Sequence, residues 1–421
     1  MKLTKHRIGD FITDIASGPF GSNLKVECFT PTGFPIIDGA NLTGLRVTDN
    51  ITKFVTEGKA RSLSRSIAKR GDIVVTISGT LGQVAYIPSN SRYEEYLCSQ
   101  RQFRATFDKS RICIEYLVNL LHTRYGQRKI LAFANFVGVP ALSQPIPNFK
   151  NIELYLPDLP TQLRIAGILG SLDEKIELNR KKIAELEALA KTIYDYWFVQ
   201  FDFPDKNGKP YKSSGGKMVW NEQLKREVPD GWEVGTIHSI CDLLVGGTPS
   251  KKVSDYWNGS IPFWGPTDCS DSIFQFHTAE QITDSGFAHC SSDMIPENST
   301  VITARGSIGK VAMVGVKMAM NQSCFAFHSN DGEDVFLYYL AKQLVNHLKQ
   351  TSTGSVFNAF VSSDLKNVIL SLGNKSVRHL YSQIADGVFM QIKTLVQQIN
   401  ELINLRDTLL PLLMNGQVVV K

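Results

Sequence analysis

The chain has no C-x-x-C pair among its seven cysteines. An odd number of widely spaced thiols argues against a disulfide framework, and no paired Cys or His ligands occur at zinc spacing. The cysteines are Cys28, Cys98, Cys113, Cys241, Cys269, Cys290 and Cys324. This pattern predicts a protein of a reducing compartment, the cytoplasm.

Long apolar runs are also missing. No stretch approaches the roughly 18 uninterrupted apolar residues of a membrane helix, and the N-terminal MKLTKHRIGDF lacks the apolar segment of an export signal. We therefore expect neither a membrane span nor export. With 43% apolar and 20% charged residues the composition is that of a folded protein, and 421 residues predict two or three domains.

A strong charge of one sign is absent as well. The net charge is +5 and the isoelectric point is about 8.7. These values lean toward a nucleic-acid partner but fall short of the isoelectric point above about 9 that marks a strongly basic DNA-binding domain. Charge alone therefore selects no function.

The sequence contains no complete copy of the enzyme motifs considered below. GSIGK at 306–310 has the end of a phosphate-binding loop, but Ala304 stands where the first glycine belongs and Val311 where Ser or Thr belongs. There is no G-x-S-x-G, no H-E-x-x-H, and no G-x-G-x-x-G after a strand. We predict no catalytic residue, no cofactor and no metal.

The chain does contain an internal repeat, and such a repeat determines the fold. VVTISGTLGQVAYI at 74–87 resembles VITARGSIGKVAMV at 301–314, 227 residues later. ELEAL from Glu185 resembles ELINL from Glu401, 216 residues later. The second copy has therefore lost about a loop's length between the two anchors. A fixed frame with a variable loop is the pattern expected of a recognition module.

Each copy ends in a long apolar stripe with a 3.5-residue period, which is typical of a coiled-coil seam. The seam positions are Leu172, Ile176, Asn179, Ile183 and Leu186 in the first copy, and Ile392, Leu395, Ile399, Leu402 and Arg406 in the second. Each stripe must be buried, so we expect the two helices to pair antiparallel. Packing alone explains the apolar positions, whereas polar Asn179 and Arg406 can fix the register.

The fold class predicted is α+β: two mixed α/β domains separated by two long antiparallel helices, with pseudo-twofold symmetry. The predicted segments are a first recognition domain at 1–158, a first spacer helix at 159–200, a linker at 201–231, a second recognition domain at 232–375 and a second spacer helix at 376–421. The linker prediction rests on the Gly, Lys and Ser content of 201–220.

The repeated glycines predict hairpin turns that need positive φ angles. Such a turn also lets backbone approach DNA, where Arg can pair with guanine, Asn or Gln with adenine, and Ser or Thr with either. Shortly after each turn come CSQRQF at 98–103 and MNQSCF at 320–325. The resulting candidates for DNA contact are Ser78, Thr80, Gln100, Arg101, Arg305, Ser307, Asn321 and Gln322.

LLVGGTPSKKVSDYWNGSIPFWGPTD at 243–268, followed by ITARGSIGKVA, resembles the target-recognition domain of type I restriction-modification specificity subunits. SGPFGSNLK at 17–25 is similar to another variant of that opening, and LPTQLRIAGILGSLDEKIELNRKKI resembles the family's helical region. The first copy lacks the GGTPS signature. The openings add Ser22, Asn23, Thr248 and Ser250 as DNA-binding candidates, and the basic residues Lys25, Arg61, Lys251 and Lys310 could bind phosphate and position the domains, although a solvated charge explains any one of them equally well.

The resemblance implies a non-enzymatic protein that directs two methyltransferase subunits, and through them restriction subunits, to a two-part site on double-stranded DNA. Each domain would recognise one half, and the helical spacer would set the gap. Two alternatives remain open from the residues: an enzyme that modifies or cuts DNA itself, and a helical scaffold that binds no DNA.

Overall fold

A computed structural model of the chain describes residues 2–351 and 359–418. The chain divides into two compact units, Met1–Lys175 with Leu402–Lys421 (unit 1) and Ile176–Glu401 (unit 2). Both division points fall inside long helices, not at the predicted domain ends, because each end of these helices packs into the core of a different unit.

Before its long helix, the described part of unit 1 contains four α-helices of up to nine residues and thirteen strands. They are β1 Thr4–Arg7, β2 Ile12–Ser17, β3 Phe29–Thr30, β4 Phe34–Ile37, β5 Phe54–Val55, α1 Glu57–Ser62, β6 Ile67–Lys69, β7 Ile73–Thr76, β8 Val84–Tyr86, β9 Glu95–Cys98, β10 Gln102–Phe107, α2 Ile114–His122, α3 Arg124–Leu131, β11 Ala134–Asn135, β12 Ala141–Leu142, α4 Pro145–Asn151 and β13 Glu153–Leu156. The long helix α5, Leu159–Tyr194, follows and continues as a π-helical turn at Asp195–Val199.

Unit 2 begins with the end of α5. Its other elements are β14 Met218–Asn221, β15 Arg226–Pro229, β16 Val234–Gly235, β17 Cys241–Val245, β18 Trp257–Trp264, β19 Phe274–Gln275, β20 Glu280–Ile282, α6 Asp284–Ala288, β21 Thr300–Thr303, β22 Val311–Val314, β23 Ala319–Met320, β24 Cys324–Ser329, α7 Asp334–Thr351, α8 Ser362–Asn367 and β25 Leu370–Ser371. The chain then enters α9, Lys375–Met414, which ends in unit 1.

The predicted internal repeat is confirmed by the sheet topology. The main sheet of unit 1 has the order β2-β10-β7-β8, and that of unit 2 has the order β17-β24-β21-β22 with β19 added at the edge. A parallel pair accompanies each sheet, β4 with β9 and β18 with β23. The antiparallel pairs β1–β13 and β16–β25 also correspond.

Apolar strands explain why each main sheet is buried. All four residues of β7, Ile-Val-Val-Thr, are buried, and the same holds for Thr-Val-Ile-Thr in β21. Such doubly buried strands need cover on both faces. In unit 1, α2 supplies part of that cover, with Leu117 and Leu121 in one core with Val75. In unit 2, α7 lies beside the sheet in the same way.

The antiparallel pairing of α5 with α9 is confirmed within each unit. In unit 2, the Asn179 amide donates to Gln398 Oε1 at 3.2 Å, and the Tyr381 hydroxyl donates to the Ala190 carbonyl at 3.1 Å. In unit 1, Arg406 Nη1 lies 3.0 Å from Asp173 Oδ1. Earlier positions on α5 thus meet later positions on α9. All ten predicted seam side chains are buried or half-buried.

The stretch 201–231, predicted to be a linker, is instead largely folded onto unit 2. Phe201 and Phe203 are buried, and Phe203 stacks on Trp232 with 5.0 Å between ring centroids. β14 and β15 form an antiparallel hairpin inside the same stretch. The segment is ordered because aromatic side chains among its Gly, Lys and Ser residues bury apolar surface against unit 2.

Candidate nucleic-acid interface

The β7–β8 turn of unit 1 has the geometry that its glycines predict. Gly79 and Gly82 have φ angles of 93° and 87°, in the left-handed region that side chains other than glycine rarely adopt. The Thr76 amide donates to the Gln83 carbonyl at 3.0 Å and closes the hairpin. The predicted turn is therefore confirmed, and it leaves Thr80 exposed.

The β21–β22 turn of unit 2 repeats this geometry. Gly306 and Gly309 have φ angles of 75° and 73°, and the Thr303 amide donates to the Lys310 carbonyl at 3.1 Å. The tip leaves Arg305 and Ser307 exposed. The two hairpins thus share one backbone geometry and carry different side chains.

Each copy also has a glycine at the start of its opening loop, in equivalent positions, although the sequence of the first copy lacks GGTPS. A Cβ on Gly18 would lie 1.8 Å from the Ser99 carbonyl oxygen, and a Cβ on Gly246 would lie 1.9 Å from that of Asn321. Both glycines directly follow the first strand of the main sheet, β2 or β17. Only glycine allows this backbone approach, so the two openings are structurally equivalent.

Backbone contacts gather four loops of unit 1 on one face. Gly18 N donates to Gln102 O at 2.7 Å, and Gly79 N donates to Pro140 O at 2.9 Å. A Cβ on Gly21 would lie 2.8 Å from Gln100 Oε1, and one on Gly79 would lie 3.7 Å from Arg101 Nη1. We call the residues 17–23, 78–82, 99–101 and 135–140 the loop face of unit 1.

The corresponding residues 246–250, 304–310 and 321–323 form the loop face of unit 2. Gly247 N donates to Met320 O at 3.0 Å, and Ala304 N donates to Ser323 O at 2.8 Å. The side chains of Thr248 and Gln322 are hydrogen-bonded to each other. The matched glutamines, Gln100 and Gln322, therefore lie against the opening loop of their own copy.

The predicted DNA-contact residues on these faces differ in exposure and in hydrogen bonding. Ser22, Asn23 and Lys25 are exposed in the opening loop of unit 1, as are Gln100 and Arg101 in the turn beside it. Ser78 is half-buried and bridges to Ala141. In unit 2 Ser250 is exposed, and its carbonyl accepts from the Trp257 indole at 3.2 Å.

Asn321 has a role that its sequence position did not reveal. Its Oδ1 accepts from the Ser323 amide at 2.9 Å and lies 3.3 Å from Cys324 Sγ. The side chain is half-buried and shapes the turn between β23 and β24. The neighbouring Gln322 is more exposed, although its Oε1 accepts from the Thr248 hydroxyl.

Three predicted cations already have partners. Arg61 pairs with Glu57 at 2.8 Å and Glu95 at 2.5 Å, and these hydrogen bonds raise the pKa of its guanidinium. Lys251 Nζ lies 2.8 Å from Glu280 Oε1 and over the Trp257 ring.

Lys310 is the third predicted cation that has a partner, since its ammonium group donates to the Cys269 carbonyl at 3.0 Å. In contrast, Lys25, Arg101 and Arg305 have no ion-pair partner within the described part of the chain.

The two polar seam positions are also engaged. Asn179 is fully buried, and its Oδ1 finds no hydrogen-bond partner among residues 2–351 and 359–418. Arg406 pairs with Asp173 and, at 2.9 Å, with Asp407. One polar position thus keeps an unsatisfied atom, and the other is fully paired.

Sequence reasoning missed the apolar side chains on the loop face of unit 1. Phe20 is 83% exposed, and Phe136, Val137 and Val139 at the β11–β12 hairpin are 64% to 86% exposed. The available signal was FANFVGVP at 133–140, an apolar run with Gly and Pro but without helical or strand period. Its exposure could not be derived from the pattern.

Other kinds of site are limited by two findings. Among the residues described, no group of three or more His, Cys, Asp or Glu side chains is placed to hold a metal ion. No helix in that same part of the chain combines the length and apolarity needed to cross a bilayer.

The repeated loop faces define a protein built from two copies of one recognition module. The chain belongs to the family of the type I restriction modification DNA specificity domain, whose model matches residues 12–188 and 229–405. The two matched segments correspond to the two copies of the internal repeat.

Individual relatives cover most of the chain. It is 24% identical over 372 residues to the type I restriction enzyme MjaIX specificity subunit of Methanocaldococcus jannaschii, covering 87% of this chain and 82% of that protein. It is 22% identical over 411 residues to the HindI specificity subunit of Haemophilus influenzae, covering 84% and 88%.

A crystal structure of the type I restriction-modification system S subunit from M. genitalium resembles the fold. The TM-score is 0.63 at 16% identity, and the match covers 98% of this chain and 96% of that one.

Proposed function

We propose that this chain is the DNA sequence-specificity subunit of a type I restriction-modification complex. The observation that carries the proposal is the repeated loop face: the same strand order and glycine positions in both units, with different exposed side chains. Two domains that share a backbone structure but differ in their exposed side chains are expected of modules that recognise different DNA sequences. Membership of the DNA specificity family supports this function.

Each recognition domain, 1–158 and 232–375, would recognise one half of a two-part target. The helical segments 159–200 and 376–421 would fix the unspecified gap between the halves, because the register of a helix pair is set by its seam. Buried Asn179 and the Arg406–Asp173 pair are the polar contacts on that seam that favour one register.

Within each domain only a few side chains need to contact base edges, while others hold the phosphates. Arg101 and Arg305 are the best guanine-binding candidates because they are exposed and carry no carboxylate partner within the described residues. Gln100 and Gln322 can recognise adenine. Lys25 is free to bind phosphate, whereas Arg61, Lys251 and Lys310 would first have to leave the partners they have.

The proposed partners are double-stranded DNA, two type I methyltransferase subunits and, through the complex, restriction subunits. Adenine methylation and ATP-driven cleavage would belong to these partners, so this chain needs neither catalytic residue nor cofactor. Its place of action would be the cytoplasm, where the chromosome lies.

The first experiment is a genome-wide map of methylated adenines after co-expression with a cognate methyltransferase subunit in a methylation-free host. A two-part motif with a fixed gap is the expected result, and exchange of one recognition domain should then change one half only. A stable complex that leaves no new methylation would contradict the proposal and favour a scaffold that binds no DNA.

A further inference from the structure

Phe20 is a large apolar side chain that is exposed to solvent on a hydrogen-bonded loop. It is 83% exposed, yet its loop is anchored on both sides. Gly18 N donates to Gln102 O at 2.7 Å before it, and Asn23 N donates to the Phe20 carbonyl at 2.8 Å after it. Pro19 further restricts the backbone. The backbone that carries the ring is therefore held in place, which lowers the entropy cost of ordering the loop when a ligand binds there.

The position lies at one edge of the loop face of unit 1. Gln100, whose Oε1 would meet a Cβ on the adjacent Gly21 at 2.8 Å, connects the Phe20 loop to the turn that carries Arg101. Arg101 in turn lies beside Gly79. Phe20 thus belongs to the same loop face as the amide and guanidinium groups proposed to contact base edges, and it lines a cavity of about 570 Å³ with Asn23 and the exposed Arg65.

The frame of the domain does not require an aromatic residue here. Gly18 and Gly246 occupy equivalent positions, so the second residue after each glycine is Phe20 in one copy and Thr248 in the other. Unit 2 forms the same sheet with the smaller residue. The ring therefore serves something other than the stability of the fold.

The charges around the ring favour a polyanionic occupant over an apolar protein surface. Lys25 and Arg101 are both exposed. Lys25 follows Phe20 by five residues, and Arg101 lies in the turn beside the opening loop. Neither has a carboxylate partner in the described residues. DNA offers phosphates for such cations and base faces for an aromatic ring. Apolar side chains that enter a base step are an established way of binding a duplex.

We propose that Phe20 is a stacking residue, whose ring lies against a base at a locally opened step of the half-site bound by unit 1. The inference rests on the proposed function and deepens it. Because every base has a π-face, stacking adds affinity with little sequence preference. Unit 1 would therefore bind its half-site by stacking as well as by base edges, whereas unit 2 has only Thr248 at this point.

The test uses the full chain in complex with its methyltransferase subunit, on the target found by methylation mapping. Phe20→Ala should weaken binding to the target duplex about tenfold or more, as expected for the loss of one stacked base. Phe20→Trp should restore binding, whereas Phe20→Leu should not. Tyr155→Ala, a change of another exposed aromatic residue in unit 1, is the matched control and should bind as the original chain does.

A photo-crosslinking phenylalanine analogue at position 20 identifies the occupant directly. Crosslinks to the half-site of unit 1 support the proposal, and crosslinks to the methyltransferase subunit alone overturn it. Equal affinity of the Ala and original chains, or equal rescue by Leu and Trp, also overturns it. If the original complex leaves no two-part methylation, the proposed function itself fails; if it does and Phe20→Ala binds equally well, only the stacking inference fails.

Discussion

The two loop faces share a frame and differ in what they expose. Gly18 matches Gly246, and Gly79 matches Gly306. At matching positions of the loop faces, unit 1 carries Phe20, Ser78 and Arg101, where unit 2 carries Thr248, Arg305 and Ser323. The difference teaches that backbone geometry constrains the glycines in both copies, while the other positions of the loop faces carry different side chains on the same frame.

The largest expected effect comes from breaking the shared frame. In Gly18→Ala the new methyl group would meet the Ser99 carbonyl oxygen at 1.8 Å, so the opening loop must move. We expect the free energy of unfolding of unit 1 to fall by about 3 kcal/mol. Chemical denaturation measures this loss, and methylation mapping should show that recognition of one half-site fails.

Gly246→Ala should do the same to the other half, because its methyl group would lie 1.9 Å from the Asn321 carbonyl oxygen. Gly44→Ala is the control, since no atom lies within 4 Å of its added Cβ. If both glycine variants damaged the same half-site, the equivalence of the two copies would be lost.

The frame was largely accessible from the sequence, and the surface was not. The 3.5-residue stripe identified ten seam positions, and the repeated Gly-tipped motif identified the turns, because both depend on local spacing. Phe20 becomes part of a loop face only through contacts with residues near 100. The ion pair of Arg61 with Glu95 likewise joins residues 34 positions apart. Such long-range neighbours leave no periodic trace in one sequence.

The predicted linker shows the same limit. Gly, Lys and Ser in 201–220 indicate a linker, yet burial of Phe203 against Trp232 depends on the fold of unit 2. Composition describes the average of a segment, whereas a few aromatic side chains decided its structure.

The second prediction sharpens the difference between base and phosphate contacts in unit 2. Arg305→Ala should relax or abolish the choice of base in one half-site, with a loss of about 2 kcal/mol against the wrong base. Lys251→Ala should weaken binding to all sequences alike and by less, because Lys251 is already paired with Glu280. Binding to cognate and scrambled duplexes measures both. Equal losses on the two duplexes for Arg305→Ala would contradict its assignment to base contact.

The third prediction compares the two polar seam positions. Arg406→Leu leaves the half-buried Asp173 unpaired and should destabilise unit 1 by about 1–2 kcal/mol. A second change, Asp173→Leu, should recover most of that loss. Asn179→Leu should be neutral or stabilising, because one amide oxygen is already unsatisfied. Thermal unfolding of the three variants tests this. A loss for Asn179→Leu as large as that for Arg406→Leu would show that the two positions are equivalent after all.

The smallest expected effect concerns a carboxyl group found in unit 2. Asp386 lines a cavity of about 190 Å³ together with Asp334, Phe389 and Lys393. Burial, reinforced by the negative charges of Asp334 and Glu333 and opposed by His379, raises the pKa of Asp386 to about 6. In unit 1, 216 residues earlier, Gly170 stands at the matching point of α5. This titration is therefore expected in one copy only.

Because the folded state holds the Asp386 proton more tightly than the unfolded chain, unit 2 should lose stability as the pH rises from about 4 to 7. Asp386→Asn removes that titration and should stabilise unit 2 at pH 7 by less than about 1 kcal/mol, since the residue keeps contact with solvent. At pH 4 the variant and the original chain should unfold together. Glu401→Gln, a change of an exposed carboxylate on the same helix, is the control. A stability difference between Asp386→Asn and the original chain that is the same at pH 4 and pH 7 would show that the carboxyl group acts through packing and not through its charge.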